Sequence, residues 1–133
     1  MRHDEQWARA RFTEARVARL ATVSGDGAPR IVPIVFALAD ELILTAVDHK
    51  PKSTTRLRRL EDVAANPSVT LLVDDYDDDW SQLWWARADG VARVHAAHDL
   101  GPLVAKYADY REQPPSGPVI VIEVTRWSGW SAT

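Results

Sequence analysis

The segment from Lys50 to Arg59 combines five cations and three hydroxyl groups in ten residues, a composition suited to holding an anion. Ser53 can cap a helix that we predict to run to about Ala65. Helix N-termini present unpaired N–H groups and a positive dipole end to anions, and Lys52 adds a point charge. The segment therefore predicts a phosphate site, and composition alone leaves open a solvated basic helix face.

A proline interrupts the apolar run from Arg30 to Phe36. Pro33 cannot donate a hydrogen bond to a sheet ladder, so it marks an edge, a bulge or a place where another group approaches the backbone. A planar ring stacked there would accept hydrogen bonds from neighbouring backbone groups. The alternative is an edge strand that tolerates a proline.

Two adjacent tryptophans, Trp84 and Trp85, lie in a stretch predicted to be a strand. Successive side chains of a strand point to opposite faces. One ring can therefore fill the interior while the other packs outside, against a partner subunit. Core packing alone is the alternative for both.

Other chemistries have little support in the sequence. The chain has no cysteine, which excludes thiolate metal sites, disulfides and cysteine nucleophiles. The acidic stretch 74–79 has Trp80 where a calcium loop needs glycine, and His95 and His98 lack a third ligand at useful spacing. There is no P-loop, dinucleotide fingerprint or nucleophile elbow. We therefore predict no metal site and identify no catalytic side chain.

The hydrophobic pattern predicts the elements that would position these segments. Helices are expected at 4–19, 53–65 and 99–110, and strands at 20–23, 30–38, 42–47, 69–73, 83–95 and 119–124. The turn at Asp26-Gly27 makes the first two strands a hairpin, and the third is expected to continue a meander. The strand at 69–73 is apolar on both faces and should be central, and Gly90 suggests a bulge. These elements predict an antiparallel barrel with flanking helices.

Size and charge limit the remaining classes. A chain of 133 residues with 46% apolar and 26% charged residues predicts one folded domain, residues 1–133. The net charge of −3 argues against nucleic acid as a partner. The charged N-terminal stretch is unlike a signal peptide, and no apolar run is long enough to span a bilayer. We therefore expect a cytoplasmic protein with no membrane partner.

Several segments, taken in their order along the chain, resemble the pyridoxamine 5′-phosphate oxidase-like split β-barrel flavoproteins. They are Arg19–Arg30, Val32–Phe36, His49–Ser53 and Asn66-Pro67. Within that superfamily, the tryptophans of residues 80–85 and 127–130 are similar to those of a short subgroup that uses the deazaflavin coenzyme F420. The resemblance implies a mainly β (α+β) fold, a six-stranded antiparallel split β-barrel of the FMN-binding type with flanking helices.

The resemblance also implies a homodimer with two cofactor sites at its interface. Lys52 falls on the family's basic phosphate position, flanked by Lys50, Ser53 and Thr54. The strand along the flavin ring corresponds to Val32, Pro33 and Ile34. The strand that carries Trp85 approaches the site from the same or the other subunit in such dimers, and Trp85 is expected to shape the substrate side.

The function implied is that of an F420-dependent oxidoreductase, a reductase that transfers hydride between the deazaflavin and an unidentified small-molecule acceptor. Thr54 and Leu57 stand where related deazaflavin enzymes usually carry lysine and asparagine, which leaves FMN open as the cofactor. An FMN-binding oxidoreductase, a non-catalytic flavin or deazaflavin carrier and an interaction domain therefore remain alternatives. The chain lacks the arginine-containing C-terminal extension that holds the substrate in pyridoxamine phosphate oxidases, so the namesake reaction is not expected.

Overall fold

The computed structural model describes residues 1–47 and 58–133. The helices are α1 (Glu5–Glu14), α2 (Arg58–Ala65), α3 (Gly101–Lys106) and α4 (Ala108–Glu112), with a 3-10 turn at Trp80–Gln82. The strands are β1 (Arg2–His3), β2 (Ala18–Val23), β3 (Pro29–Ile34), β4 (Ala37–Ala39), β5 (Leu42–Ala46), β6 (Ser68–Asp75), β7 (Trp84–His95) and β8 (Val119–Ser131).

The strands form one antiparallel sheet in the order β3-β2-β6-β7-β8-β5-β4, with β1 paired to β8. The mainly β class with flanking helices is as predicted. The described residues contain eight strands rather than six, because residues 2–3 add a strand and the predicted strand 30–38 breaks after Ile34.

The predicted meander is confirmed in its two pairings, since β3 pairs with β2 and β4 pairs with β5, but it is wrong in placing the three strands side by side. The β2–β3 hairpin lies at one end of the sheet order and the β4–β5 hairpin at the other, so β5 pairs with β4 and β8 and not with β3. The chain leaves the sheet at Val35 and Phe36 because side chains from elsewhere bind the backbone there: Thr45 at Val35 and Tyr107 at Phe36.

Two helix predictions ran too long. Helix α1, capped by the Asp4 carboxylate, ends at Glu14, since Ala15 is extended and Ala18 already pairs with Ile34. The predicted helix 99–110 is two helices, because Tyr107 between them is extended.

Predictions for the centre of the sheet are confirmed. Strand β6 lies between β2 and β7, with Val69, Leu71 and Val73 buried. The register of β7 against β8 shifts between Asp89 and Gly90. A side chain at Gly90 would collide with the backbone oxygen of Glu123, so the bulge requires glycine there.

The main core lies between the sheet and α1, which contributes the fully buried Ala8 and Phe12. A smaller cluster lies under α3 and α4 and includes Leu103 and Tyr110. Among the residues that the structure describes, no helix is long and apolar enough to cross a membrane.

Candidate functional site

A groove of about 190 Å³ lies where β3 ends, between that strand, β5 and α2. Its walls come from four parts of the chain that are distant in sequence. The lining residues are Val17, Pro33, Ile34, Val35, Thr45, Ala46 and Arg59.

The register explains why a proline stands on this wall. Pro33 is opposite Arg19, and its neighbours Val32 and Ile34 are opposite Leu20 and Ala18. Among the described residues, β3 pairs only with β2. Because hydrogen-bonded and non-hydrogen-bonded pairs alternate, we expect Val32 and Ile34 to bond to β2. The carbonyl of Pro33, which lies between these two residues, then points away from β2, to the open edge of β3.

The floor of the groove is fixed by a buried hydroxyl. Thr45 is 2% exposed, and its Oγ1 donates to the carbonyl oxygen of Val35 over 2.9 Å. This bond satisfies a backbone group just after β3 leaves the sheet, and it ties the Pro33 side of the groove to β5.

A tyrosine clamp (Arg16, Phe36, Lys106 and Tyr107) lies next to the groove. The Tyr107 hydroxyl accepts the N–H of Phe36 at 3.1 Å and lies 2.9 Å from the carbonyl oxygens of both Phe36 and Arg16. A phenol has one proton, so it donates to one of these oxygens at a time. Burial raises the pKa of the Tyr107 hydroxyl above its ordinary value.

The clamp carries two cations. The Arg16 guanidinium donates to the Lys106 carbonyl at 3.0 Å and lies 4.7 Å from the centre of the Tyr107 ring. The Lys106 ammonium lies 3.9 Å from the centre of the Phe36 ring and is buried without a hydrogen-bond acceptor among residues 1–47 and 58–133. Burial, with a smaller effect of Arg16, lowers the pKa of Lys106 to about 8.

A second cavity, of about 350 Å³, adjoins the groove through the shared residue Val35. Its other walls come from Arg16, Tyr107 and the start of α4, so two residues of the clamp line this cavity. Its lining residues are Arg16, Val35, Tyr107, Ala108, Asp109 and Tyr110.

On the opposite wall, α2 is attached to the β2–β3 hairpin by a buried carboxylate. Asp62 is 3% exposed, its Oδ2 lies 3.1 Å from Nε of Arg30, and it accepts the Thr22 hydroxyl at 2.9 Å. Ala65, at the end of the same helix, lies under the β2–β3 turn, where Gly27 has a φ of +91°. The helix that presents Arg59 is therefore held directly to the strand that presents Pro33.

The structure brings together only part of the predicted site. Pro33 and Ile34 line the groove, whereas Val32 packs against the main core. The predicted phosphate residues Lys50, Lys52, Ser53 and Thr54 lie outside the described residues. Ala46 and Arg59, which flank that stretch in sequence, both line the groove.

Trp85 lies away from this groove within the same chain. It lines a separate cavity with Leu72, Asp74, Tyr76 and Arg87. The residues Pro33, Arg19, Leu72 and Arg87 are paired across four adjacent strands and share a face. Strands are spaced about 4.8 Å apart, so roughly 14 Å separates the backbone at Pro33 from that at Arg87, and Trp85, two residues along β7 on the same face, lies farther away still.

Sequence reasoning missed several lining residues. Thr45 stands out in the sequence as the only hydroxyl in the apolar strand 42–46, but its partner Val35 lies in the connection between β3 and β4, a break that the sequence does not predict. Arg59 was included in the basic segment without a role. Val17 and Ala46 carry no chemical signal that would distinguish them from core residues.

Comparison with known proteins bears on the whole chain. The family model described as "Pyridoxamine 5′-phosphate oxidase" matches residues 5–131. No curated protein sequence matches this chain.

Several solved structures have the same fold. A FAD-binding protein from Mesorhizobium loti is 20% identical, with 97% of this chain and 95% of that chain covered and a TM-score of 0.73. A FAD-binding protein from Mycobacterium smegmatis is 22% identical, with coverage of 98% and 97% and a TM-score of 0.62. A haem storage protein from Vibrio cholerae is 15% identical, with coverage of 96% and 93% and a TM-score of 0.69. At these identities the likeness concerns the fold.

Proposed function

The chain belongs to the pyridoxamine 5′-phosphate oxidase family and has its split β-barrel fold, and on that premise we propose that it binds a phosphorylated flavin-type cofactor for two-electron redox chemistry. One observation carries the proposal. The groove beside Pro33 is bounded by Ala46, four residues before the basic segment, and by Arg59, the last residue of that segment. The predicted phosphate-binding residues lie between these two groove residues in sequence.

The residues of the groove fit such a ligand. Its walls offer apolar contact from Val17, Ile34 and Val35, which suits a flat ring. The open edge of β3 offers backbone groups to the rim of the ring. Arg59 offers a fork of N–H donors, the geometry that binds phosphate oxygens well.

We favour coenzyme F420 as the cofactor and a reductase as the activity. When bound, a deazaflavin ring supplies the hydride chemistry, so the protein needs no nucleophile of its own. The chain's residues would hold the ring against Pro33, bind its phosphate and exclude water from one face. An FMN-dependent oxidoreductase and a non-catalytic carrier use the same groove and are the alternatives.

A second copy of the chain is part of this proposal. The sheet face that carries Pro33 and Trp85 also carries Ile31, whose side chain is 65% exposed. Trp85 is too far from Pro33 to touch a ring there within one chain, so it would reach the site from a partner. In equilibrium sedimentation, Ile31→Lys should shift a dimer towards monomer, while Val94→Lys, at an exposed valine near the end of β7, should not.

Parallel titration with FMN and coenzyme F420, followed by fluorescence, tests the cofactor directly. Lys52→Ala should weaken binding of the preferred cofactor by roughly 1–3 kcal/mol if Lys52 makes a charge-assisted phosphate contact. Arg126→Ala removes an exposed cation from β8 and should leave the affinity unchanged. Absence of binding by both cofactors would refute the proposal.

Turnover separates the enzyme from the carrier. The reduced cofactor is bound to the protein and mixed with candidate acceptors in a stopped-flow instrument. A reductase oxidises the cofactor faster on the protein than in free solution, whereas a carrier leaves the rate equal or slower.

A further inference from the structure

The buried carboxylate of Asp62 joins the two walls of the groove. Asp62 lies one turn after Arg59 on α2, and Arg30 lies three residues before Pro33 on β3. The 3.1 Å contact between Arg30 Nε and Asp62 Oδ2 therefore links the helix that carries Arg59 to the strand that carries Pro33. The Thr22 hydroxyl, 3% exposed, adds a bond from β2 to the same carboxylate oxygen.

Stability alone does not account for a charge in this position. A buried ion pair is often no more stabilising than apolar residues of the same volume, because both charges lose their hydration. What the ion pair and hydrogen bond provide is direction: they fix the rotation and axial position of α2, which apolar packing leaves free to adjust.

We propose that Asp62 is a positioning residue for cofactor binding: through Arg30 and Thr22 it fixes α2 so that Arg59 meets the phosphate end of a ligand whose ring lies against Pro33. This inference rests on the proposed function, since it assumes a phosphorylated ligand in the groove. It assigns Asp62 no contact with the ligand. The carboxylate acts on affinity only through the placement of Arg59.

Comparison of a phosphorylated ligand with its unphosphorylated counterpart tests the inference. Asp62→Asn keeps the shape of the side chain and an acceptor for Thr22 but removes the charge that holds Arg30. The dissociation constants are measured for FMN and riboflavin, or for coenzyme F420 and its phosphate-free deazariboflavin if the wild type prefers those. We expect the phosphorylated ligand to lose about tenfold in affinity while the unphosphorylated one changes little. An equal loss for both would assign Asp62 a merely structural role and overturn the inference.

Two further variants guard against misfolding and nonspecific charge effects. Asp62→Asn combined with Arg30→Gln removes both charges, so neither is left buried and unpaired, and it should show the same selective loss. Glu61→Gln removes one negative charge from an exposed position on the same helix and should leave the affinity ratio unchanged. A changed ratio in Glu61→Gln would show that net charge, rather than the position of α2, is responsible.

Hydrogen exchange of the ligand-free protein separates failure of this inference from failure of the proposed function. Asp62→Asn should speed amide exchange in α2 and leave β7 and β8 protected, because only the attachment of the helix is loosened. Unchanged exchange in α2 would overturn the positioning role even if the wild type binds its cofactor. If Asp62→Asn speeds exchange in α2 but the wild type binds neither FMN nor coenzyme F420, the proposed function is refuted, and with it the role of Asp62 in binding.

Discussion

Cations lie over aromatic rings in several regions of the described chain, and two of these regions differ in how they solvate the charge. In the seam between α1 and the sheet (His3, Trp7, Arg9, Arg11, Trp84 and Trp127), the Arg11 guanidinium lies 4.8 Å from the ring centres of both Trp7 and Trp84. Arg9 lies over Trp127 and also pairs with Glu41 at 3.2 Å. In the tyrosine clamp, the Lys106 ammonium is buried over Phe36 with no acceptor among the described residues.

The charges of the seam stabilise the fold, whereas the charge of Lys106 in the clamp is held in surroundings that disfavour it. In the seam, arginine stems cover aromatic surface while one guanidinium keeps a carboxylate partner, so the charges cost little. In the clamp, a second cation next to Lys106 and burial both disfavour its charge. The seam should therefore respond to mutation through stability alone, whereas the clamp should respond to pH and to what occupies the neighbouring cavities.

The largest effect is expected from Trp7→Ala in the seam. Trp7 stacks on His3 at 4.0 Å and meets the edge of Trp84 at 6.1 Å, so truncation removes contacts on three sides, including Arg11. We expect the free energy of unfolding to fall by about 3 kcal/mol. Urea denaturation measures it, and the loss should be the same at pH 7 and pH 9. A loss that changes with pH would remove the contrast with the clamp.

Gly129→Ala should show a smaller, conditional loss in the same seam. A Cβ at Gly129 would lie 2.5 Å from Cζ3 and 2.6 Å from Cε3 of Trp7. Overpacking of this kind costs about 1–3 kcal/mol. In the Trp7→Ala background the ring is absent, so the added methyl group should cost almost nothing. A double-mutant cycle by urea denaturation checks this, and additive losses would contradict the packing argument.

A structural feature could be predicted from the sequence when it depends on residues close together in the chain, and could not when it depends on distant ones. The turn at Gly27, the bulge at Gly90 and the edge position of Pro33 follow from the backbone chemistry of single residues. The break after Ile34 follows from Tyr107, whose hydroxyl binds a backbone group 71 residues earlier in the chain. No periodicity within 30–38 contains that information.

Burial of the residues that position the groove is equally hard to predict from the sequence. Asp62 follows the usual pattern of a polar residue on a surface helix, yet it is buried, because Arg30 and Thr22 arrive from strands that are distant in sequence. Thr45 likewise fits the pattern of an ordinary strand residue, because its bond to Val35 depends on the break between β3 and β4. The charge of Lys52 and the missing N–H of Pro33 are evident from the sequence alone, whereas the residues that position a site become evident only when the strands are paired.

Tyr107→Phe tests the clamp without changing its charge. The hydroxyl is the partner of the Phe36 N–H and of one of two carbonyl oxygens, so its loss leaves part-buried backbone groups unsatisfied. We expect a loss of about 1–2 kcal/mol in the free energy of unfolding. The matched control is Tyr76→Phe, at an exposed tyrosine with no hydroxyl contact among the described bonds, which should lose nothing. Equal effects would mean that the hydroxyl does not hold the chain at Phe36.

The smallest and most specific effect is expected from Lys106. Its pKa is lowered from 10.5 to about 8, first by burial and then by Arg16. Between pH 8 and pH 10.5 the unfolded chain binds a proton that the folded chain lacks, so the free energy of unfolding rises with pH in this window. Below pH 8 both states carry the charge, and the cost of burying it is complete.

Lys106→Met removes that cost and should therefore gain stability relative to the wild type at pH 7, on the order of 1 kcal/mol after solvent screening. The gain should shrink towards pH 10, where the wild-type amine is neutral when folded. Lys106→Arg, which is charged at every pH, should become less stable than the wild type as pH rises above 8. Urea denaturation at pH 7, 8 and 9.5 measures all three proteins. If the free energies of unfolding of the three proteins change in parallel with pH, the Lys106 charge is as well solvated as those of Arg9 and Arg11. The distinction between seam and clamp would then rest on Tyr107 alone.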